Sequence, residues 1–196
     1  PSGNADNAFL MIEPGESCQY EFAIPQDHPS GTFWIHPHVH GRSADQVSRG
    51  LAAPLIVRGG LDAIPEIAAA PESLLLFQDF DLGSDGVINP PSPAGRIIGR
   101  EGNSVAASGF FNPALTVEQN GWLRLRVVNA SASRFYRLKL EEHTLFQIAS
   151  DGGALPEPRP LDELLLVPGQ RAEFMIAGSR PPGTYRLLNL PYNRGS

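Results

Sequence analysis

Residues 31–41, with the sequence GTFWIHPHVHG, constrain this chain more than any other stretch. Three of its five histidines lie here, at positions 36, 38 and 40. The bulky apolar residues 33–35 precede them and are typical of the end of a β-strand. Because alternate side chains of a strand point to one face, we expect His36, His38 and His40 to share a face beside apolar neighbours.

Such a strand can offer imidazoles to metal ions, but three of its histidines cannot easily surround one ion. Positions two apart lie roughly 6.6 Å apart and positions four apart about 13 Å, whereas an imidazole–metal bond is only about 2 Å long. The motif therefore serves two neighbouring ions, or a site that other residues complete. Imidazole suits zinc, copper, iron and nickel, and solvated loop histidines are the alternative for a bare H-x-H pair. Pro37 should break or bulge the ladder between His36 and His38 and re-aim both rings.

The longer string around the histidines resembles the second copper-binding motif of bacterial laccase-like multicopper oxidases. The likeness covers residues 31–41, Gln46-Val47, and residues 49–57 with the sequence RGLAAPLIV. The family pattern is G-T-x-W-[YF]-H-x-H, followed by Q-V and then G-L-A-G-x-L-I-V. Ile35 stands where an aromatic residue is usual and Ala53 where glycine is usual, and neither departure removes a ligand.

This resemblance implies that His36 and His38 bind the type 3 coppers of a trinuclear type 2/type 3 centre, where O₂ is reduced to water. His40 and Trp34 would lie beside the ligands without binding copper, and no catalytic residue is expected beyond the metal ligands. The enzyme would be a copper-dependent oxidoreductase that takes electrons singly from phenolic, aromatic or metal-ion substrates. Its expected partners are O₂ and a small reducing substrate.

The same resemblance implies that the chain is a fragment and is inactive alone. The type 1 copper, the other copper motifs and the remaining parts of the first and third cupredoxin domains would lie in segments outside it. The expected location is periplasmic or secreted, with any leader upstream. One alternative is a copper-free cupredoxin-fold structural or interaction protein. A copper nitrite reductase is a weaker alternative, since its motif places a cysteine next to a histidine.

Composition favours an all-β fold. The chain has 20 glycines and 19 prolines in 196 residues, with short apolar runs between them, which is typical of turn-rich β proteins. Besides the strand of the histidine motif, we predict strands at 18–24, 51–57, 73–80, 115–118, 122–129, 135–140, 144–149, 164–167, 171–176 and 184–190. The spacing suggests Greek-key β-sandwiches, and the resemblance makes them cupredoxin-like, one partial and one complete.

The chain divides into three predicted parts. The resemblance implies that residues 1–60 are the C-terminal part of the first cupredoxin domain, which carries the H-x-H motif. Residues 61–71, rich in alanine and proline, form a linker. Residues 72–196 form the second cupredoxin domain, where the resemblance implies no copper. The strings that carry this second likeness are LRLRVVNAS, SDGG, LLLVPGQRAE and PYNRG, at 123–131, 150–153, 164–173 and 191–195.

Finer expectations concern single positions. Cys18, the only cysteine, excludes a disulfide within the chain and should be a small apolar core residue. Arg124 and Arg126 alternate with apolar residues, which predicts a strand with one face in water. Ser43 should cap a helical turn over 43–48, and His143 should lie in a turn.

Several function classes are disfavoured. The net charge of −6, with no basic cluster, argues against a nucleic-acid surface. No apolar run approaches the ~20 residues that a membrane-spanning helix needs. The sequence also lacks a G-x-S-x-G elbow, a P-loop and an EF-hand pattern.

Overall fold

The computed structural model describes residues 9–151 and 153–193, and this part of the chain consists mainly of strands. The predicted all-β class is therefore confirmed. The strands are β1 Gly31–Ile35, β2 Ala53–Val57, β3 Glu72–Phe80, β4 Ser104–Ala107, β5 Trp122–Asn129, β6 Tyr136–Leu140, β7 Leu145–Ser150, β8 Gly153–Leu161, β9 Leu164–Leu166, β10 Arg171–Ala177 and β11 Leu187–Leu190. The short helices are α1 Ser43–Ser48, α2 Pro65–Ala68 and α3 Pro93–Ile98, and a 3₁₀ turn covers Gly60–Ala63.

Two sheets form a sandwich after residue 71. Six strands lie in the order β4-β3-β5-β10-β7-β8, and three in the order β11-β6-β9. The chain passes between the sheets at β5–β6, β6–β7, β8–β9, β9–β10 and β10–β11. Such crossings bring strands together that are distant in sequence, as in Greek-key sandwiches. Buried apolar side chains fill the space between the sheets, among them Leu125, Val127, Tyr136, Leu138, Leu145, Leu166 and Phe174.

The six-stranded sheet is also covered on its second face. Arg124 and Arg126 lie on that face of β5, yet their exposed fractions are 3% and 0%. The prediction of a wet face is therefore wrong. The sequence pattern of β5 could not reveal that β1 and the 3₁₀ turn lie over the arginines, where Thr32 and Asp62 contact them.

A two-stranded antiparallel unit carries the histidine motif. β1 pairs with β2 in a register that runs from Gly31 opposite Val57 to Ile35 opposite Ala53. Trp34 packs with a small apolar cluster on the six-stranded sheet, consisting of Leu76, Val128 and Ala130. The residues between β1 and β2 include α1, as predicted, although Arg42 occupies the cap position and the Ser43 hydroxyl instead donates to the carbonyl of Val39 (3.1 Å).

The predicted strand at 18–24 is absent from the described residues, and the prediction that Cys18 is buried is wrong, because it is exposed. Tyr20, Phe22 and Ile24 are exposed as well. An alternating pattern forms a strand only where a neighbour completes its ladder, and this segment pairs with none of the described strands.

The predicted strands after residue 80 differ from the structure at three places. Residues 115–118 form no strand, although a turn follows them, with the Gly121 N–H donating to the carbonyl oxygen of Glu118 (2.9 Å). Residues 83–109, where no strand was predicted, contain α3 and β4. β8 was missed because Pro156, Pro158 and Pro160 interrupt it; it is an edge strand, where proline is tolerated.

Candidate metal centre

The two candidate ligands lie just beyond the end of β1. The strand stops at Ile35, and residues 36–39 have no regular structure, so the expectation that the histidines occupy a strand face is corrected. Pro37 accounts for the ending, because it cannot donate to a continued ladder. His36 is half-buried, while His38 is exposed.

The His36 ring is held from two sides. Its centroid lies 4.3 Å from that of the Trp34 ring system, with the planes tilted by 32°. Its Nδ1 lies 3.1 Å from the carbonyl oxygen of Pro37. Because a carbonyl only accepts hydrogen bonds, Nδ1 carries the proton of the neutral ring and Nε2 carries the lone pair. Metal-binding histidines commonly have this arrangement, with one nitrogen tethered and the other available to a metal.

His36 and His38 form a close pair, with ring centroids 5.7 Å apart and planes at 70°. Bonds of about 2 Å allow rings at this separation to bind one ion or two adjacent ions. Copper accepts imidazole, so the donor set fits copper. Among residues 9–151 and 153–193, no group of three or more His, Cys, Asp or Glu side chains is placed to hold an ion. A metal ion bound by this pair would therefore need further ligands.

The remaining histidines of interest lie apart from this pair. His40 is exposed at the turn that leads into α1. His143 follows β6, where its Nδ1 lies 2.8 Å from the carbonyl of Glu141 and its ring packs edge-on against Tyr185 at 4.6 Å. His143 thus lies in a turn, as predicted.

Sequence reasoning missed a charged cluster behind β1, in which Arg124, Arg126 and Glu173 are buried. Three arginines and three carboxylates compose it: Arg58, Arg124, Arg126, Asp62, Glu72 and Glu173. Glu173 and Arg126 are register partners on β10 and β5. The sequence contained one indication of this contact: each of the two apolar strands carries a charged residue at an interior position, and the charges are opposite. Cross-strand neighbours of opposite charge attract each other.

The cluster is densely bonded. Glu173 accepts from Arg124 through Nε (3.1 Å) and Nη2 (2.7 Å), and also from Arg126 Nη1. The guanidinium of Arg58 binds Glu72 with both terminal nitrogens, at 2.9 and 2.8 Å. Arg126 Nε lies 2.9 Å from Glu72 as an ion pair without hydrogen-bond alignment. Asp62 binds Arg124.

Electrostatics follow from this packing. Burial by itself would raise the pKa of Asp62, but the Gly59 N–H and the arginines outweigh it, so the pKa is lowered. The pKa of Glu72 is lowered for the same reason: burial by itself would raise it, but the attraction of the carboxylate to Arg58 and Arg126 outweighs burial. Burial opposes the charge of Arg124 too, yet its carboxylate partners raise its pKa. Asp62, Glu72 and Arg124 are therefore ionised near neutral pH.

Known proteins match the chain over most of its length. Two family models described as multicopper oxidase match residues 2–61 and 72–195. A cell division protein FtsP from Yersinia pestis is 34% identical over 85% of the chain and 35% of its own length. A multicopper oxidase mco from Staphylococcus haemolyticus is 33% identical over 88% of the chain and 38% of its own length.

Solved structures agree with the sequence matches. A multicopper oxidase from Campylobacter jejuni, described as a metallo-oxidase, superposes with a TM-score of 0.82 at 29% identity, over 94% of the chain and 38% of its own length. A multicopper oxidase from Pseudomonas thermotolerans gives 0.76 at 30% identity, over 91% and 42%. The fold is thus cupredoxin-like, and the chain spans little more than a third of the length of the curated relatives named above. This chain belongs to the multicopper oxidase family.

Proposed function

We propose that His36 and His38 bind the type 3 coppers of a laccase-like multicopper oxidase. The observation that carries this proposal is the adjacent imidazole pair at the end of β1, in which Nδ1 of His36 is tethered to Pro37 and Nε2 holds the lone pair. The complete protein would oxidise a small phenolic, aromatic or metal-ion substrate and reduce O₂ to water. Further copper ligands, including those of a type 1 copper, would come from outside residues 1–196.

Bound copper would supply the one-electron chemistry with O₂, while the residues of this chain hold the ligands in place. Pro37 fixes the His36 tautomer through its carbonyl, and Trp34 covers one side of the ring. His36 is half-buried, so this ligand is partly shielded from water. His40 is assigned no ligand role.

The domain division is part of the same proposal. Residues 1–60 would belong to the first cupredoxin domain, 61–71 to a linker, and 72–196 to a second domain without copper. The separate family matches at 2–61 and 72–195 support it. A periplasmic or secreted location is proposed from the family resemblance. Across residues 9–151 and 153–193, no helix has the length and apolar character needed to cross a membrane.

A second function is favoured by a specific observation. Several of the similar curated proteins are named cell division protein FtsP, a name that describes a cellular role rather than an oxidation. A structural or interaction protein with this fold would need no metal at His36 and His38. The pair itself favours the oxidase, because a strand end that tethers one imidazole and places another beside it has the form of a ligand site.

Removal of each histidine separates the two functions. We expect His36→Ala and His38→Ala, made in the complete protein, to lower type 3 copper occupancy and abolish O₂ reduction. His143→Ala is a matched control, since that ring also has Nδ1 near a local carbonyl and an aromatic neighbour. Copper per protein and O₂ uptake are measured together. Full copper content and O₂ uptake in both variants would refute the assignment, and a copper-free wild-type protein would favour the structural role.

A further inference from the structure

The strand that carries the histidines is anchored by a polar contact on its buried side. Thr32, four residues before His36, is 1% exposed. Its hydroxyl donates to Glu173 Oε1 (2.8 Å) and accepts from Arg126 Nη1 (2.9 Å), and its carbonyl accepts from Arg171 Nε (3.1 Å). We call these four residues the Thr32 anchor.

The anchor leaves the Thr32 hydroxyl little freedom. A hydroxyl has one proton to donate, and here the acceptor is a buried carboxylate while the donor is a buried guanidinium. Reversal of the hydroxyl would point its proton at a cation and leave a lone pair facing an anion. Charge-assisted hydrogen bonds of this kind are short and directional, so they fix the position of β1 along β5 and β10.

The anchored position is transmitted to His36 along one face of β1. Side chains two apart share a strand face, which places Trp34 next to Thr32. Trp34 packs on the apolar cluster of the six-stranded sheet, and its ring lies against that of His36. Arg171 also contacts β1 through a cation–π interaction, with its guanidinium carbon 5.8 Å from the centroid of the Phe33 ring.

We infer that Thr32, Glu173 and Arg126 are positioning residues for the His36–His38 pair, acting through β1 and Trp34. This inference rests on the proposed function for the metal, but the placement of the rings is a property of the protein itself. Ligand pairs must be held to within about 0.5 Å, and the apolar contacts of Trp34 alone permit sliding that directional hydrogen bonds prevent.

The test uses Thr32→Val, which keeps the shape of the side chain and removes its hydroxyl, and Thr32→Ser, which retains the hydroxyl. Tyr136→Phe is the matched control: it also removes one buried hydroxyl, bonded to Ser131 at 2.7 Å, from the other sheet. Each variant is made in the complete protein. Imidazole ¹⁵N resonances and β1 amide exchange are measured in the metal-free form, and copper affinity by competition with a chelator.

We expect Thr32→Val to shift the His36 resonances, to speed β1 amide exchange about tenfold and to weaken copper binding about tenfold or more. Thr32→Ser and Tyr136→Phe should both keep the wild-type His36 resonances, β1 exchange rates and copper affinity. Unchanged resonances and exchange in Thr32→Val, or equal effects in Tyr136→Phe, would overturn the inference. If Thr32→Val does not fold, Arg171→Met, which loses the bond to the Thr32 carbonyl, must produce the same changes.

The two proposals fail in different ways. If the metal assignment is wrong, His36→Ala has the same copper content as the wild type, while Thr32→Val still moves the His36 resonances in the metal-free protein. If the positioning role is wrong, His36→Ala loses copper while Thr32→Val leaves the resonances and the β1 exchange rates as in the wild type.

Discussion

Glu173→Gln should be among the most damaging single substitutions in this chain. Glu173 is 1% exposed and accepts hydrogen bonds from Thr32, Arg124 and Arg126. The amide keeps the size of the side chain but removes the charge that lies between two buried guanidinium groups. Removal of one partner from a buried pair costs about 3–5 kcal/mol. At about 2–4 °C per kcal/mol for a chain of this size, the melting temperature should fall by about 6–20 °C.

Glu163→Gln provides the matched control. Glu163 also pairs with an arginine, with Arg137 donating through Nε (2.9 Å) and Nη2 (2.7 Å), but both side chains are about 40% exposed (39% and 40%). Exposed pairs contribute about 1 kcal/mol or less. Urea unfolding followed by circular dichroism measures both variants. The reasoning is refuted if Glu173→Gln loses no more stability than Glu163→Gln.

Three further predictions concern acid stability, backbone packing and the core. The folded-state pKa values of Asp62 and Glu72 lie below their ordinary values of 3.8 and 4.5. The two carboxylates therefore stabilise the fold above those ordinary values, and this stabilisation is lost as the pH falls through the lowered folded-state values. In acid-unfolding curves, the free energy of unfolding of Asp62→Asn should fall less steeply with decreasing pH than that of the wild type. Gly102→Ala should lower the unfolding free energy by about 1–3 kcal/mol in urea unfolding, because a Cβ there would clash with the backbone of Phe80. Gly153→Ala should be nearly neutral, because a Cβ there would lie 3.8 Å from the Ser150 carbonyl oxygen, an ordinary van der Waals contact. Leu166→Ala, at a site that is 0% exposed, should lower the unfolding free energy by about 2–5 kcal/mol.

Local patterns predicted the strands well where packing agreed with them. The predicted bounds 122–129 coincide with β5, and the predicted break at Pro37 agrees with the end of β1 at Ile35. Period-2 alternation and proline chemistry act over a few residues, so the sequence displays them directly. The same alternation at 18–24 produced no strand, because it does not supply the neighbour that a ladder requires.

In the candidate site, too, only the features that are local in sequence could be predicted. The histidine pair could be predicted because its two members are two residues apart in the sequence. The Thr32 anchor was invisible, because Thr32 lies 94 residues from Arg126 and 141 from Glu173. The arginines on β5 even favoured the opposite conclusion, a wet face, since an alternating polar residue usually means water. Only the placement of β1 over that face turns the arginines into interior residues.

The charged cluster is better explained by specificity than by stability. Apolar residues of similar volume at such positions often give an equal or more stable fold, so stability alone is a weak reason for the three arginines and three acidic residues behind β1. A polar network of directional hydrogen bonds accepts fewer arrangements than an apolar contact of the same area. At this face the network contacts β1, which ends at Ile35, directly before His36. If the pair binds a metal as proposed, a small displacement of β1 would move the imidazoles away from it. Directional bonds are needed most on the strand that leads into such a pair, and Thr32 lies on that strand, four residues before His36.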